Sequence, residues 1–263
     1  MLERPNIYFA SDFHLGVYGE KEAVTRERKI ISWMNEIQKD AKSLYLVGDI
    51  FDFWFEYKTV VPRGYIRFLG KLAELSDAGV EIVFFKGNHD MWMFDYFKEQ
   101  LNGTIIDNEL ELYDNGKRFF IHHGDGLGPG DQQYKILKKI FRSKLCQWLF
   151  ARLHPNLGMG IARRWSAHSR AANLKAEVFK GIEKEWLIAY TQEKIKQGEQ
   201  HDFYIYGHRH LPYDIQLENG SRILNLGEWF QHFTYAVWDG ESLKLKKFIE
   251  EGKDEGLPLT QNK

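Results

Sequence analysis

The chain is poor in cysteine. Its 263 residues hold one, Cys146, so no intrachain disulfide can form and a reducing compartment is expected. It also lacks long apolar runs. None approaches the roughly 18 residues a membrane-spanning helix needs. The opening MLERPNIYFA has no basic start followed by an apolar segment of signal-peptide length. A cytoplasmic protein is expected, at most peripheral on a membrane. Overall charge is nearly absent: a formal −1 makes the whole chain no obvious binder of polyanions. There is no internal repeat. What is present is apolar material, 43% of residues, with an aromatic share of 15%. That suffices for a sizeable core in one large or two small domains and excludes global disorder.

Short apolar runs recur, punctuated by Gly, Asn and Asp. Residues 6–10, 43–48, 81–87, 118–124 and 202–208 read as buried strands. Helical spacing lies between them. Val24, Ile30, Ile31, Met34 and Ile37 mark a helix over 22–39, and Ile66, Leu69, Leu72, Ala73 and Leu75 one over 64–78. Alternating strands and helices predict an α/β layered fold. From about 221 to 249 short strands follow one another, with Asp239-Gly240 as a hairpin turn. The last dozen residues are polar and expected to fray.

One segment departs from this alternation. Residues 132–197 contain no convincing strand and read as helical. From 132 to 184 there are twelve Lys and Arg against Glu177 and Glu183, which gives +10 and leaves about −11 for the remainder. Leu137, Ile140, Phe141, Leu145, Trp148, Leu149 and Leu153 form an apolar helical stripe flanked by bases. Such a basic amphipathic helix suits an anionic membrane surface or an amphiphilic substrate, and equally a cap helix packed on the core. Nucleic acid fits poorly, because the stripe is broad and no recognised nucleic-acid module is present.

The strand ends carry the chemistry. Asp12 and His14 follow the first strand, Asp49 and Asp52 the second, and Gly87-Asn88-His89-Asp90 the third. His122, His123 and Asp125 follow the fourth, and His208 and His210 the fifth. Sites in open α/β sheets form at these carboxyl ends. In extended chain, residues i and i+2 point the same way. Asp12 with His14, and His208 with His210, can therefore grip one cation or divide between two. Oxygen and imidazole donors without thiolate suit Mn²⁺, Fe or Zn²⁺ more than Ca²⁺. Asp49, with two oxygens, is the natural bridge. Two divalent ions would outweigh the two carboxylates and attract a phosphate ester. Taken singly, each motif is bland: an HxH is ordinarily a surface or core histidine, and Gly-Asp a turn. The conclusion rests on all five together. His122, Asp52 and Asp90 fit supporting roles such as orienting a ligand imidazole. His154 and His168 read as ordinary.

These motifs (DFH, GDIFD, GNHD, HGD and GHRH, spanning about residues 6–213) resemble the calcineurin-like metallophosphoesterase signature. The resemblance implies a four-layer αββα sandwich, two packed mixed sheets flanked by helices, with a helical cap insertion at about 131–197. It implies a dinuclear centre: Asp12, His14, Asp49 and His210 for one ion, and Asp49, Asn88, His123 and His208 for the other. His89 would face the phosphate, with Asp90 to orient it. The stretches GDIFDFWFEY, HHGDGLGPGDQQYK and RRWSAHSRAANLKAE are similar to the subfamily that hydrolyses UDP-2,3-diacylglucosamine in lipid A synthesis. That likeness implies Mn²⁺, a UDP-linked diacyl glycolipid substrate and a peripheral membrane location. It implies substrate contacts from Asp131, Tyr134, Ser169, Asn173 and Lys175 as well as Asn88, His89 and His208. Two departures stand out. Lys175 is offset, with Ala176 at the expected place, and His89 stands where better-known members of the subfamily carry arginine. The alternatives are a phosphoesterase for another nucleotide or nucleoside diphosphate conjugate, and a non-catalytic scaffold on the same fold. A scaffold would be expected to lack some ligands, and this chain has the full set.

Overall fold

The computed structural model describes residues 4–16, 21–128, 132–173, 178–179, 181–249 and 255–256, with backbone alone for 21–22, 133, 163, 167–173 and 255–256. Two sheets form the centre. The first has seven strands in the order β12-β11-β10-β1-β2-β3-β4, the second five in the order β5-β6-β7-β9-β8. The five strands read from apolar runs appear as β1 (Asn6–Ala10), β2 (Ala41–Val47), β3 (Glu81–Phe85), β6 (Lys117–His122) and β7 (Phe203–Tyr206). The tail supplies β9 (Arg222–Asn225), β10 (Thr234–Trp238) and β11 (Leu243–Lys247). Asp239 closes the β10–β11 hairpin by accepting from the Glu241 and Ser242 amides. The remaining strands are β4 (Thr104–Ile106), β5 (Glu109–Asp114), β8 (Tyr213–Gln216) and the two-residue β12 (Glu255–Gly256). None of these four reads as a strand from the sequence. β5 alternates half-buried and exposed residues and so has no apolar run; the others are short.

Alternation along the strands explains the layers. In β1, Ile7 and Phe9 face the second sheet and meet Phe119, Ile121 and Ile205 between the sheets. Tyr8 and Ala10 face the other way, onto α1 (Lys21–Ile37), α2 (Ile66–Asp77) and α3 (Tyr96–Leu101). The second sheet turns Phe120, Tyr204 and Tyr206 outward onto Leu187 and Ile188 of α7 (Trp186–Lys196). Helix, sheet, sheet, helix is the αββα order. Every strand in the first block, β1 to β4, runs parallel to its neighbour, as do β6, β7 and β9. Their carboxyl ends therefore share a rim, and the loops leaving it carry the candidate ligands.

The helical segment is divided by its packing. α7 belongs to the outer layer of the second sheet. α4 (Gln132–Arg142), α5 (Lys144–Phe150) and α6 (Pro155–Asn173) lie over the rim. Phe141, Cys146 and Phe150 pack on Phe55, Met91 and Trp92 from the loops after β2 and β3. The Trp92 indole N–H donates to the Phe141 carbonyl at 2.7 Å, and Arg142 reaches Asn108 and the Asp107 carbonyl. The stripe expected on a single helix is split at Ser143, whose hydroxyl caps α5 by accepting from the Cys146 amide. The break turns Phe141 inward and leaves Ile140, Leu145, Trp148 and Leu149 exposed.

Candidate metal centre

Each ligand type arrives by a short path from its strand. Asp12 and His14 follow β1, and their amides donate to the Gly48 and Asp49 carbonyls at 3.1 and 2.9 Å, which fastens the first loop to the second. His123 follows β6, and its carbonyl receives the Gly207 amide at 2.8 Å. The sheets are joined directly at the site, where the His208 amide donates to Asp12 Oδ2 at 2.9 Å. Asp12, His14, Asp49, His208 and His210 all have positive φ, from 43° to 66°. Few L-residues adopt this left-handed conformation, and each such residue costs of order 1 kcal/mol. Five of the nine non-glycine residues described in it are candidate ligands, so backbone strain is concentrated at the rim.

Three sets of side chains converge, each with its donor atoms within 4.8 Å of one another: Asp12, His14 and His210; Asp49, His123 and His208; and His14, Asp49 and His89. His14 Nε2 lies 3.2 Å from His210 Nε2, and Asp12 Oδ1 lies 3.2 Å from His210 Nε2. In the second set, His123 Nε2 is 3.4 Å from both Asp49 Oδ2 and Asn88 Oδ1. Tautomers follow from the partners. His123 Nδ1 faces the Val47 carbonyl at 2.8 Å, and a carbonyl can only accept. Nδ1 therefore carries hydrogen, and Nε2 is the atom left for a ligand bond.

The donor set fits a divalent metal. Asp12 Oδ1 is buried with no hydrogen-bond partner, while imidazole nitrogens stand opposite it. Buried acceptors facing one another are costly until a cation lies between them. Donor separations of roughly 3 Å match two ligands on one ion with bonds near 2.1 Å. The site also excludes any side chain at Gly87 and Gly207. A Cβ on Gly87 would lie 2.2 Å from Asp49 Oδ1, and one on Gly207 2.7 Å from Asp12 Oδ2.

Without metal, charge is held among the ligands themselves. Burial alone would raise the Asp49 carboxyl, but the His123 and His89 rings hold it well below the usual range. Burial also disfavours a charged His123, yet Asp49 outweighs it and pushes the imidazole up to about 10. Burial lowers His208 to about 4, so this ring is neutral and ready to ligate. His122 is likewise lowered to about 3 by burial and accepts from the Gly124 amide, which makes it a loop brace.

Residues 5–212 match the calcineurin-like phosphoesterase family. The chain belongs to that family. Relatives of the phosphoesterase span almost its full length. A Porphyromonas gingivalis protein named UDP-2,3-diacylglucosamine hydrolase is 41% identical over 255 residues, covering 92% of this chain and 97% of that protein. Proteins of the same name from Edwardsiella ictaluri and Aeromonas hydrophila subsp. hydrophila are 28% and 29% identical. They cover 90% and 87% of the phosphoesterase and 90% and 92% of their own lengths.

The rim of the phosphoesterase brings together Asp12, His14, Asp49, Asn88, His89, His123, His208 and His210. Asp90 does not orient His89. Its carboxylate accepts from four main-chain amides, those of Asp49, Ile50, Phe51 and Gly87, and so braces the loop that carries Asp49. His89 Nδ1 instead meets the Asp52 carbonyl at 3.0 Å and Ser166 Oγ at 3.1 Å. The Tyr134 hydroxyl donates to Asp125 Oδ2 at 2.5 Å, and Lys138 pairs with the same carboxylate. Ser169 and Asn173 lie on the α6 backbone, with side chains outside the described residues; Asp131 and Lys175 lie wholly outside them. Ser166 is the site residue that sequence reasoning missed. Its signal was its position, one turn before Ser169 on the same helix.

Proposed function

We propose that the chain hydrolyses the pyrophosphate of UDP-2,3-diacylglucosamine to UMP and 2,3-diacylglucosamine 1-phosphate. The observation that carries the reading is the 41% identity, over 92% of the chain, to a protein named for that activity. The convergent donor set supports it. Asp12, His14, Asp49 and His210 would hold one divalent ion, and Asp49, Asn88, His123 and His208 the other. Mn²⁺ is the metal we assign, and Fe or Zn²⁺ suits the same donors. Bound ions supply a water nucleophile at neutral pH and offset phosphoryl charge. The chain's own residues do the rest. Val47 keeps His123 Nε2 available for ligation. The hydrolysis adds water across P–O–P: its oxygen joins one phosphorus, and the bridging oxygen leaves with the other. His89 would stand at the phosphate, where its imidazole could donate to a phosphoryl oxygen or to the departing oxygen, a contribution typically worth about 10²–10⁴-fold. Asp131, Tyr134, Ser169, Asn173 and Lys175 would contact the remainder of the substrate, along with Asn88, His89 and His208.

The cap supplies an apolar surface of the kind two acyl chains require. Ile136, Ile140, Leu145, Trp148, Leu149, Leu157, Ile161 and Trp165 are each about half exposed or more. Each CH₂ removed from water is worth about 0.8 kcal/mol. The excess of bases in 132–184 supports peripheral binding at the cytoplasmic face of a membrane, beside its lipid substrate. Among the described residues, no helix is long and apolar enough to cross one.

Mass spectrometry of products from the glycolipid, incubated with purified protein and Mn²⁺, tests the reading. UMP with the acylated sugar phosphate is expected. An intact glycolipid alongside turnover of other nucleoside diphosphate conjugates would move the assignment to those substrates. A protein that takes up no metal and turns over no phosphodiester would be a scaffold. Leu149→Glu should weaken action on the diacyl substrate and spare a small soluble phosphodiester. Equal loss on both in a folded variant would count against an acyl-binding cap.

A further inference from the structure

His89 belongs to the strand loops, and Ser166 belongs to the cap. Their contact is a polar link between α6 and the candidate metal centre. Ser166 is 4% exposed, although serine on a cap helix would ordinarily face water. It is buried where α6 packs against the rim, with Oγ 3.1 Å from His89 Nδ1. Gly158, Ala162 and Ser166, spaced by four, are the buried residues among those of this helix whose side chains are described. A Cβ on Gly158 would lie 2.7 Å from the Tyr57 hydroxyl and 3.1 Å from the Phe150 ring. Small side chains on this line let the helix approach until a two-atom side chain reaches the His89 ring.

We infer that Ser166 is a positioning residue for His89, through which the cap orients the imidazole that faces the phosphate. The inference rests on the reading of His89 given above. The Asp52 carbonyl, 3.0 Å from Nδ1, can only accept, so Nδ1 carries hydrogen whether or not the ring is charged. Ser166 Oγ, 3.1 Å away, is then a second acceptor for the same N–H. The Asp52 carboxylate, 3.9 Å from Nδ1, is too far to share it. With Nδ1 held from two sides, Nε2 is the nitrogen left for the centre, where the ring stands edge-on to His14 at 4.7 Å between centroids. One holder comes from the β2 loop and the other from the cap. Displacing α6 would thus release one side of the ring without touching a metal ligand. An arginine in place of His89 would have a longer and differently shaped head group, so a short hydroxyl partner matches histidine at this position.

The test is a double-mutant cycle on a soluble phosphodiester, bis(p-nitrophenyl) phosphate, with the Mn²⁺-loaded protein. Ser166→Ala should lower kcat about fivefold, the worth of one neutral hydrogen bond, with KM and metal content unchanged. In a His89→Ala background the same change should have no effect. Equal loss in both backgrounds, or no loss in either, would overturn the inference. A second readout needs no turnover. In the Zn²⁺-loaded, ¹⁵N-histidine-labelled protein, His89 should be protonated on Nδ1, and Ser166→Ala should speed solvent exchange of that proton about fivefold. Exchange that is unchanged by Ser166→Ala would overturn the inference even if the wild-type protein proves inactive on the phosphodiester. That inactivity would be a failure of the proposed function and not of the contact.

Discussion

Gly87 has no space for a methyl group, because Asp49 fills it with both a carboxylate oxygen and its own amide. The backbone cannot yield without moving the proposed bridging ligand. Gly87→Ala is therefore expected to lose metal and at least about 100-fold in turnover while keeping its circular dichroism, read by elemental analysis of the purified variant. Asp90 presents a different case. It accepts four amides with two oxygens, and an Asn there would turn an N–H toward donors it cannot satisfy. Asp90→Asn should cost about 2–3 kcal/mol of stability in urea titration. His123 predicts a pH effect. Its metal-free ring, raised to about 10 by Asp49, is charged at pH 8, whereas a ligating ring must be neutral. Metal uptake at pH 8 should then release a proton, and affinity should keep rising with pH until near 10. The ion pair with Asp49 acts oppositely: it stabilises the metal-free fold fully below the ordinary imidazole value and is lost as pH rises through about 10. Calorimetry of metal binding in two buffers of different ionisation enthalpy measures the proton count, and a count of zero would refute the pairing.

At the scale of elements, the cap docks through aromatic and small side chains and exposes apolar side chains among Lys and Arg. α5 has no fully buried residue, yet the Phe150 ring packs tilted against Phe55 and Trp92, each 4.7 Å between centroids. The same short helix thus contributes both to docking and to the exposed surface, which seven residues allow because they make only two turns. α6 depends on close approach. Gly158→Val should push it from Tyr57 and Phe150 and cost about 1–3 kcal/mol of local stability. Hydrogen exchange should quicken in α5 and α6 and stay unchanged in β1 to β3. Uniform quickening would instead mean that the cap and the sheets unfold together.

For the whole molecule, the division of charge matters more than its total. The near-neutral chain holds +10 between 132 and 184, the segment that also carries most of the exposed apolar side chains described. Binding to vesicles containing anionic lipid should therefore exceed binding to neutral ones and weaken between about 50 and 500 mM salt, as flotation would measure. Salt-independent, equal binding to both would leave the apolar surface as the only contributor.

Much of this was legible in the sequence because the relevant physics is local. Apolar runs and their periods marked five strands and two helices. Asp, Asn and His placed directly after those runs marked the candidate ligands, since a strand delivers whatever follows it to the sheet rim. Hydrophobic periodicity said less of β5, which alternates, and of β4 and β8, which are too short to show a period. Asp90 and Ser166 needed the tertiary structure. Asp90 stands beside His89 in the chain, but the loop turns its carboxylate onto the amides of the neighbouring strand's loop. Ser166 is 77 residues from His89, and only the close packing of α6 brings the two within hydrogen-bond distance. The division of the apolar stripe at Ser143, with Phe141 turned inward and Leu149 outward, was likewise decided by what the cap packs against. The sequence by itself determined which chemical groups reach the rim. The packing of two sheets and a cap decided which of them face one another, because those contacts join residues far apart in the chain.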